Sequence, residues 1–285
     1  MFRIRTILLV AALWALAIGA PPSADAERSL ILATTTSVRD SGLLDALLPR
    51  FTETSGIGVR VIAVGTGAAL RMGREGNADL LLTHAPSAER ALVDEGVVAR
   101  RTPFMQNFFV IAGPETDPAG IARMGSPAEA IAGIVEKRTC WVSRADDSGT
   151  HKREKALFRD AGLAPNLERD GLIRTGSGMG LSLQIAGQRR CYILSDIGTF
   201  LAFQERVHLV PLSQPSPSLR NVYSLLQLDE SRFARPLHRE EAEALEAYLL
   251  SPSTLEEIGA FGRDRFGRAL FTPLTPADAP MQPKP

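Results

Sequence analysis

Short apolar runs, several rich in β-branched residues, alternate with segments of helical period along most of this 285-residue chain. That alternation commits a chain to α/β layering, because each short strand must bury its faces under the helices that flank it. Leu30–Ala33 predicts the first strand, and a helix from about Ser41 sets Leu43, Leu44, Leu47, Leu48 and Phe51 on one face. Val59–Val64 and Leu80–Leu82 predict the next two strands, with helices over 68–74 and, capped by Ser87, to about Asp94. Phe108–Ala112 is a longer apolar strand closed by Gly113-Pro114, and after it the pattern begins again. Strands at 141–143, 172–174 and 192–194 lead into helices at 150–160, 179–186 and 197–204. Val207–Val210 and Tyr223–Leu226 are late strands, and helices over 239–250 and 254–270 follow. Two successive α/β sets joined by a long strand, with late strands returning, predict two lobes linked by two crossings. The cleft between lobes is then the place for a small ligand.

The first 26 residues stand apart from this pattern. Arg3 and Arg5 precede an apolar run from Ile7 to Ala20, and Ala24-Asp25-Ala26 supplies small residues at a cleavage spacing. The run is short for a membrane span and reads as a secretory signal peptide over 1–26. Without Arg3, Arg5 and Asp25, the 32 basic and 32 acidic residues become 30 and 31, a net charge of −1. A near-neutral chain lacks the broad basic surface that nucleic-acid binding requires. Export also places Cys140 and Cys191 in an oxidising compartment. Each begins a strand-like run, so they form a disulfide if those strands are neighbours and two buried thiols if they are not. Two cysteines and four scattered histidines give no metal-ligand spacing.

In four places a strand runs into a small, hydroxyl-bearing loop that opens a helix. They are Thr34-Thr35-Thr36-Ser37, Gly65-Thr66-Gly67, the stretch from Ser143 through Arg144 to Thr150, and Thr175-Gly176-Ser177-Gly178. Such loops gather beyond the carboxyl ends of parallel strands, two here from each set. Their O–H and N–H donors, with Arg144 as a cation, suit a small deprotonated oxyanion. A charge-assisted contact from Arg144 is worth ~1.5–3 kcal/mol. Each loop also has a plainer reading: a Ser or Thr at a helix start is usually an N-cap. Gly176-x-Gly178-x-Gly180 lacks the spacing of a dinucleotide loop. Asp146 and Asp147 read as loop and capping residues, and His84 and His151 as surface or loop histidines outside any triad context. Recurrence carries the argument, since independent capping need not collect four loops around one cleft.

The same residues are familiar in order. Ala33-Thr34-Thr35-Thr36-Ser37 with Asp40-Ser41-Gly42-Leu43-Leu44 resembles the start of the periplasmic tungstate-binding protein family. The likeness continues through Val61–Gly67, Ala78–Glu89, Asn107–Pro114, Ser143–Lys152 and Thr175–Gly180 with Leu183–Ala186, and spans about 30 to 228. It implies a two-lobed periplasmic-binding-protein (type II) fold, each lobe a mostly parallel sheet flanked by helices. The expected divisions are a first lobe of 27–107 and 222–272, a second of 108–221, and a flexible tail at 273–285. The resemblance implies a monomeric periplasmic receptor, without catalysis or cofactor, that captures tungstate or molybdate. It would deliver the anion to the permease and ATPase subunits of an ABC importer. By motif position Thr35, Thr36, Ser37 and Thr66 would donate from the first lobe, and Arg144, Thr150 and Ser177 from the second. Two departures stand out. Asp196-Ile197-Gly198-Thr199-Phe200 lacks an arginine that the family commonly has after the aspartate, and Arg39 is a charge where uncharged residues are usual. Open alternatives are a phosphate or sulfate receptor, an enzyme on the same two-lobed fold acting on a phosphorylated or carboxylated substrate, and a receptor serving a membrane kinase.

Overall fold

The computed structural model describes residues 28–164 and 168–274, so the expected signal peptide and all but the start of the tail lie outside the described residues. The first set comprises β1 (Ser29–Thr35), α1 (Thr36–Ser41), α2 (Leu43–Ser55), β2 (Gly58–Val64), α3 (Thr66–Arg74), β3 (Leu80–Thr83) and α4 (Pro86–Asp94). A long strand, β4 (Val98–Gly113), leads out of it to α5 (Pro127–Glu136). The second set is β5 (Trp141–Ser143), α6 (Gly149–Asp160), β6 (Leu172–Arg174), α7 (Met179–Arg189), β7 (Tyr192–Asp196), α8 (Ile197–Val207) and the short β8 (Val210–Pro211). The chain returns along β9 (Arg220–Leu228) and ends in α9 (Arg239–Leu249), α10 (Pro252–Ala260), α11 (Arg263–Phe266) and β10 (Thr272–Pro273).

Strand order is β2-β1-β3-β9-β4-β7-β5-β6, and β4 belongs to both halves. Its residues from Val98 to Phe108 pair antiparallel with β9 from Leu228 back to Arg220. From Phe109 to Ala112 it pairs instead with β7. The two half-sheets therefore meet at Asn107–Phe109, where Asn107 lies opposite Asn221. Within each half the crossover strands are parallel, β2 and β3 on β1, and β6 and β7 on β5. The period of two in a strand distributes their side chains between two cores per half. Leu30, Leu32, Leu80, Leu82 and Leu225 face α2, α9 and α10, whereas Ala33, Leu81 and Leu226 face α3 and α4. In the other half Trp141, Tyr192 and Leu194 pack toward α5 and α6, and Val142 and Ile193 toward α7 and α8.

Several local expectations are corrected. The helix after β1 begins at Thr36 inside the hydroxyl run, not near Ser41, and Gly42 (φ 79°) breaks it before α2. Ala85, with Pro86 at the first helical position, starts α4 in place of Ser87. Val207 closes α8 and His208 turns left-handed (φ 51°), leaving only Val210–Pro211 as strand. The last predicted helix is two, interrupted at Gly262 (φ 92°), where a left-handed turn needs no Cβ. The segments Val98–Asn107 and Pro127–Glu136 are strand and helix that the apolar pattern left unassigned.

Because β5 and β7 are neighbours with Trp141 opposite Tyr192, the residues just before them meet as a Cys140–Cys191 disulfide, with Cα atoms 4.7 Å apart. The bridge closes a loop with a sequence separation of 51 residues, which restricts the unfolded chain. Replacing both cysteines by alanine is expected to cost about 2–4 kcal/mol in chemical denaturation. An unchanged denaturation midpoint in that variant would contradict a structural role for the bridge.

Candidate functional site

The four hydroxyl loops lie at the carboxyl ends of β1, β2, β5 and β6, where the two half-sheets face each other. Their side chains are not equivalent. Thr34 Oγ1 donates to the Leu82 carbonyl at 2.9 Å and is spent inside the sheet. Thr35 occupies the N-cap position of α1 but makes no side-chain cap bond. Its hydroxyl instead meets Ser37 Oγ at 3.0 Å, and Thr36 beside it is half-buried. Ser37 is buried and lies 3.1 Å from His84 Nε2.

The second loop reaches across to the third. Thr66, first residue of α3, accepts a hydrogen bond on Oγ1 from the backbone N–H of Gly149, first residue of α6, at 2.8 Å. A Cβ at Gly149 would lie 2.6 Å from His84 Cε1 and 3.1 Å from Thr66 Oγ1. No real side chain tolerates that approach, so glycine is what lets the two halves close on one another here. Thr150, the next residue, is buried and its Oγ1 has no hydrogen-bond partner. A buried hydroxyl left in that state costs about 1–3 kcal/mol, which an anionic acceptor would recover.

Arg144 supplies the charge. It is buried, pairs through Nη2 with the Asp146 carboxylate, and points Nε at the Ser177 carbonyl at 3.4 Å. Left-handed residues at Ala145 (φ 49°) and Asp147 (φ 57°) turn the loop so that Asp146 also accepts the Ser148 N–H at 3.2 Å. Asp147 is exposed and faces Lys152 at 2.7 Å. Ser177 is half-buried, and its hydroxyl donates back to the Thr175 carbonyl at 3.0 Å. The structure thus joins Thr35 to Ser37, Thr66 to the Gly149–Thr150 turn, and Arg144 to the Ser177 backbone. It brings the Ser177 carbonyl, not its hydroxyl, to Arg144.

Four side chains absent from the expected set, His84, Asn107, Asn221 and Asp196, complete the cluster. His84 was read as a surface or loop histidine and is in fact 6% exposed, in the wall of the cleft. Its position directly after the carboxyl end of β3 was the available signal. Its Nδ1 lies 2.8 Å from Asn221 Oδ1, and Asn221 Nδ2 donates to Asn107 Oδ1 at 2.8 Å and to Tyr223 at 2.9 Å. Burial pushes the His84 imidazole down to about 4; the Asn221 bond opposes this, and the charges of Arg144 and Arg153 add to it. Asp196 caps α8 through the Thr199 N–H at 2.9 Å, its Oδ2 has no partner, and burial raises its carboxyl. Of the two departures, Ile197 belongs to the core beneath α8, while Arg39 faces solvent and binds Asp40 at 2.8 Å. Arg39 therefore does not restore positive charge to the cleft.

Comparison with known proteins bears on this geometry. A family model described as a PBP superfamily domain matches residues 20–251. The tungstate-binding protein TupA of Peptoclostridium acidaminophilum is 39% identical over 250 residues, which cover 87% of this chain and 86% of that one. The solved structure of the tungstate-binding protein TupA from Desulfovibrio alaskensis G20 is 38% identical with a TM-score of 0.76. It aligns with 87% of this chain and 99% of its own. A structure described as the tungstate ABC transporter from Geobacter sulfurreducens is likewise 38% identical, with a TM-score of 0.75 over 82% and 99% of the two chains.

Two tests follow from the packing. Gly149→Ala is expected to fold but to hold the halves apart, weakening oxyanion binding about twofold to tenfold, since a neutral hydrogen bond such as Thr66–Gly149 is worth ~0.5–1.5 kcal/mol. Titration calorimetry checks this, and undiminished affinity would show that the contact is not needed. The second concerns Glu154, buried on α6, whose carboxyl is pushed up to about 7 by burial, against the opposing influence of the nearby Ser143 and Trp141 polar groups. The folded state then keeps a proton that the unfolded state loses as pH rises above the ordinary glutamate value, so stability falls over that interval. Glu154→Gln is expected to gain stability over the parent at pH 8 and none at pH 4, read from denaturation at both values.

Proposed function

The chain belongs to the tungstate-binding protein family of the PBP superfamily, and on that premise we propose that it is a periplasmic receptor for tungstate, with molybdate second. It captures the anion between two lobes and delivers it to the permease and ATPase subunits of an ABC importer. Thr35, Thr36, Ser37 and Thr66 donate from the first lobe, and Arg144, Thr150 and Ser177 from the second, Ser177 after its hydroxyl turns from the Thr175 carbonyl. The lobes are 27–107 with 222–272, and 108–221, and they move about the Asn107–Phe109 crossing and the start of β9. It works as a monomer and carries no catalytic activity.

The observation that carries this reading is a buried set of donors divided between the two half-sheets and joined by the Thr66–Gly149 hydrogen bond. Backbone N–H groups at the starts of α3, α6 and α7 and several hydroxyls offer hydrogen to an acceptor-only ligand. A hydrogen phosphate would also need an acceptor for its proton. Asp146 is engaged by Arg144 and the Ser148 N–H, and Asp147 by Lys152 in solvent. Asp196 Oδ2, buried and without a partner, is still able to accept that proton, so the preference for deprotonated dianions, and among them for tungstate and molybdate over sulfate, rests on the family likeness.

Titration calorimetry with sodium tungstate, molybdate, sulfate and phosphate tests the assignment. Tungstate and molybdate are expected to bind, with sulfate and phosphate weaker or absent; heat from none of the four would refute the oxyanion reading. Arg144→Gln should retain the fold and lose affinity about tenfold to a hundredfold, the worth of a charge-assisted bond. Equal affinity in that variant would remove Arg144 from the site.

A further inference from the structure

A chain of polar side chains runs from the crossing strands to the cleft: Asn107, Asn221, His84, Ser37, Thr35. Its links measure 2.8, 2.8, 3.1 and 3.0 Å. The donor inventory assigns each proton along it. Asn221 spends its Nδ2 on Asn107 and Tyr223, so its Oδ1 must accept, and His84 Nδ1 carries the hydrogen. The neutral ring then has a bare Nε2, which accepts the hydroxyl proton of Ser37, and Ser37 Oγ accepts that of Thr35. With this polarity both hydroxyl protons point away from an anion and along the chain. The connectivity Ser37–His84–Asn221 is also that of a nucleophile, base and orienting group, but the ring is too weak a base to remove the serine proton. It can only hold it.

We propose that His84 is a positioning residue whose tautomer sets the direction of the Thr35 and Ser37 hydroxyls, and that oxyanion capture reverses the chain to the Nε2–H tautomer. The inference rests on the receptor reading above. In the reversed chain both amides turn over: Asn107 Nδ2, which has no partner in the present arrangement, donates to Asn221 Oδ1, the Tyr223 hydroxyl turns to donate to the same oxygen, and Asn221 Nδ2 donates to His84 Nδ1. His84 Nε2–H then donates to Ser37, whose own proton is released to the anion. Thr35, no longer needed as donor to Ser37, is released with it. The three links from Asn107 to Ser37 are kept in both directions and only the Thr35–Ser37 bond is given up, so an acceptor at the hydroxyl end, which replaces that bond, decides between the two polarities.

The exchange gives one proton from Nδ1 to water and takes one from water at Nε2, so the ring ends with no net charge, which fits its surroundings. Arg144 from the loop after β5 and Arg153 from α6 both oppose a positive charge there. Tyr223 of β9 lies against the ring at 4.9 Å and Phe109 of β4 at 6.5 Å, and the ring is buried among them. The relay begins at Asn107 and Asn221, which face each other where β4 passes between the half-sheets. Hinge and hydroxyls thus share one hydrogen-bond chain.

Imidazole nitrogen NMR on the full-length mature protein reads the tautomer directly. His84→Gln identifies the signals of His84 against those of His151, His208 and His238. Without anion the ring is expected to show a protonated Nδ1 and a bare Nε2; saturated with sodium tungstate it should show the opposite. The same tautomer in both samples, or a doubly protonated ring with tungstate, overturns the inference. Calorimetry on the same sample separates the two readings: bound tungstate with an unchanged ring refutes this one alone. Absence of tungstate binding refutes the receptor and this with it.

Discussion

The antiparallel pairing of β4 with β9 is the constraint on which the rest of the structure depends. Over Val98–Phe108 it closes the first half-sheet, and the same strand continues through Phe109–Ala112 into the second. One strand shared between two sheets holds their carboxyl-end loops face to face, and neither half alone contains a complete set of donors. The pairing also places Asn107 and Asn221 at the crossing itself. Their amides have no role in either hydrophobic core. They serve the hydrogen-bond chain that leads to Ser37.

Desolvation governs what the cleft can bind. Arg144, Ser37, Thr66, Thr150 and His84 are all buried, so each hydrogen bond forms in a medium where charge is weakly screened. The same burial makes any unmatched group costly. Arg144 does not confront the ligand as a free cation, because Asp146 already balances much of its charge. Orientation of neutral donors then carries a large share of the recognition.

Much of this was legible in the residues. Periodicity located the cores, and the hydroxyl loops recognised after strands come together at one end of the sheets, because strand ends in a parallel sheet converge whatever their spacing in the chain. Seven candidate residues were named, and the structure sets them on four neighbouring loops. Three kinds of feature were not legible. The length of β4 was hidden because Val98–Asn107 contains Arg100, Arg101, Thr102 and Gln106, whose polar side chains pair with Glu246, Glu89 and Arg220 and break the apolar pattern. His84, Asn107 and Asn221 are distant in sequence and meet only through the β4–β9 register. Hydroxyl direction is invisible as well: Thr34 and Ser177 match the motif, yet both donate to backbone carbonyls. The Cys140–Cys191 pairing stood open until the adjacency of β5 and β7 closed it.

Anomalous diffraction at a tungsten absorption edge, from crystals grown with sodium tungstate, tests the central claim most directly. A single anomalous peak is expected between the half-sheets, its oxygens within hydrogen-bond reach of Ser37, Thr150 and the Arg144 guanidinium. A peak confined to the outer surface, with those three side chains untouched, would contradict the account.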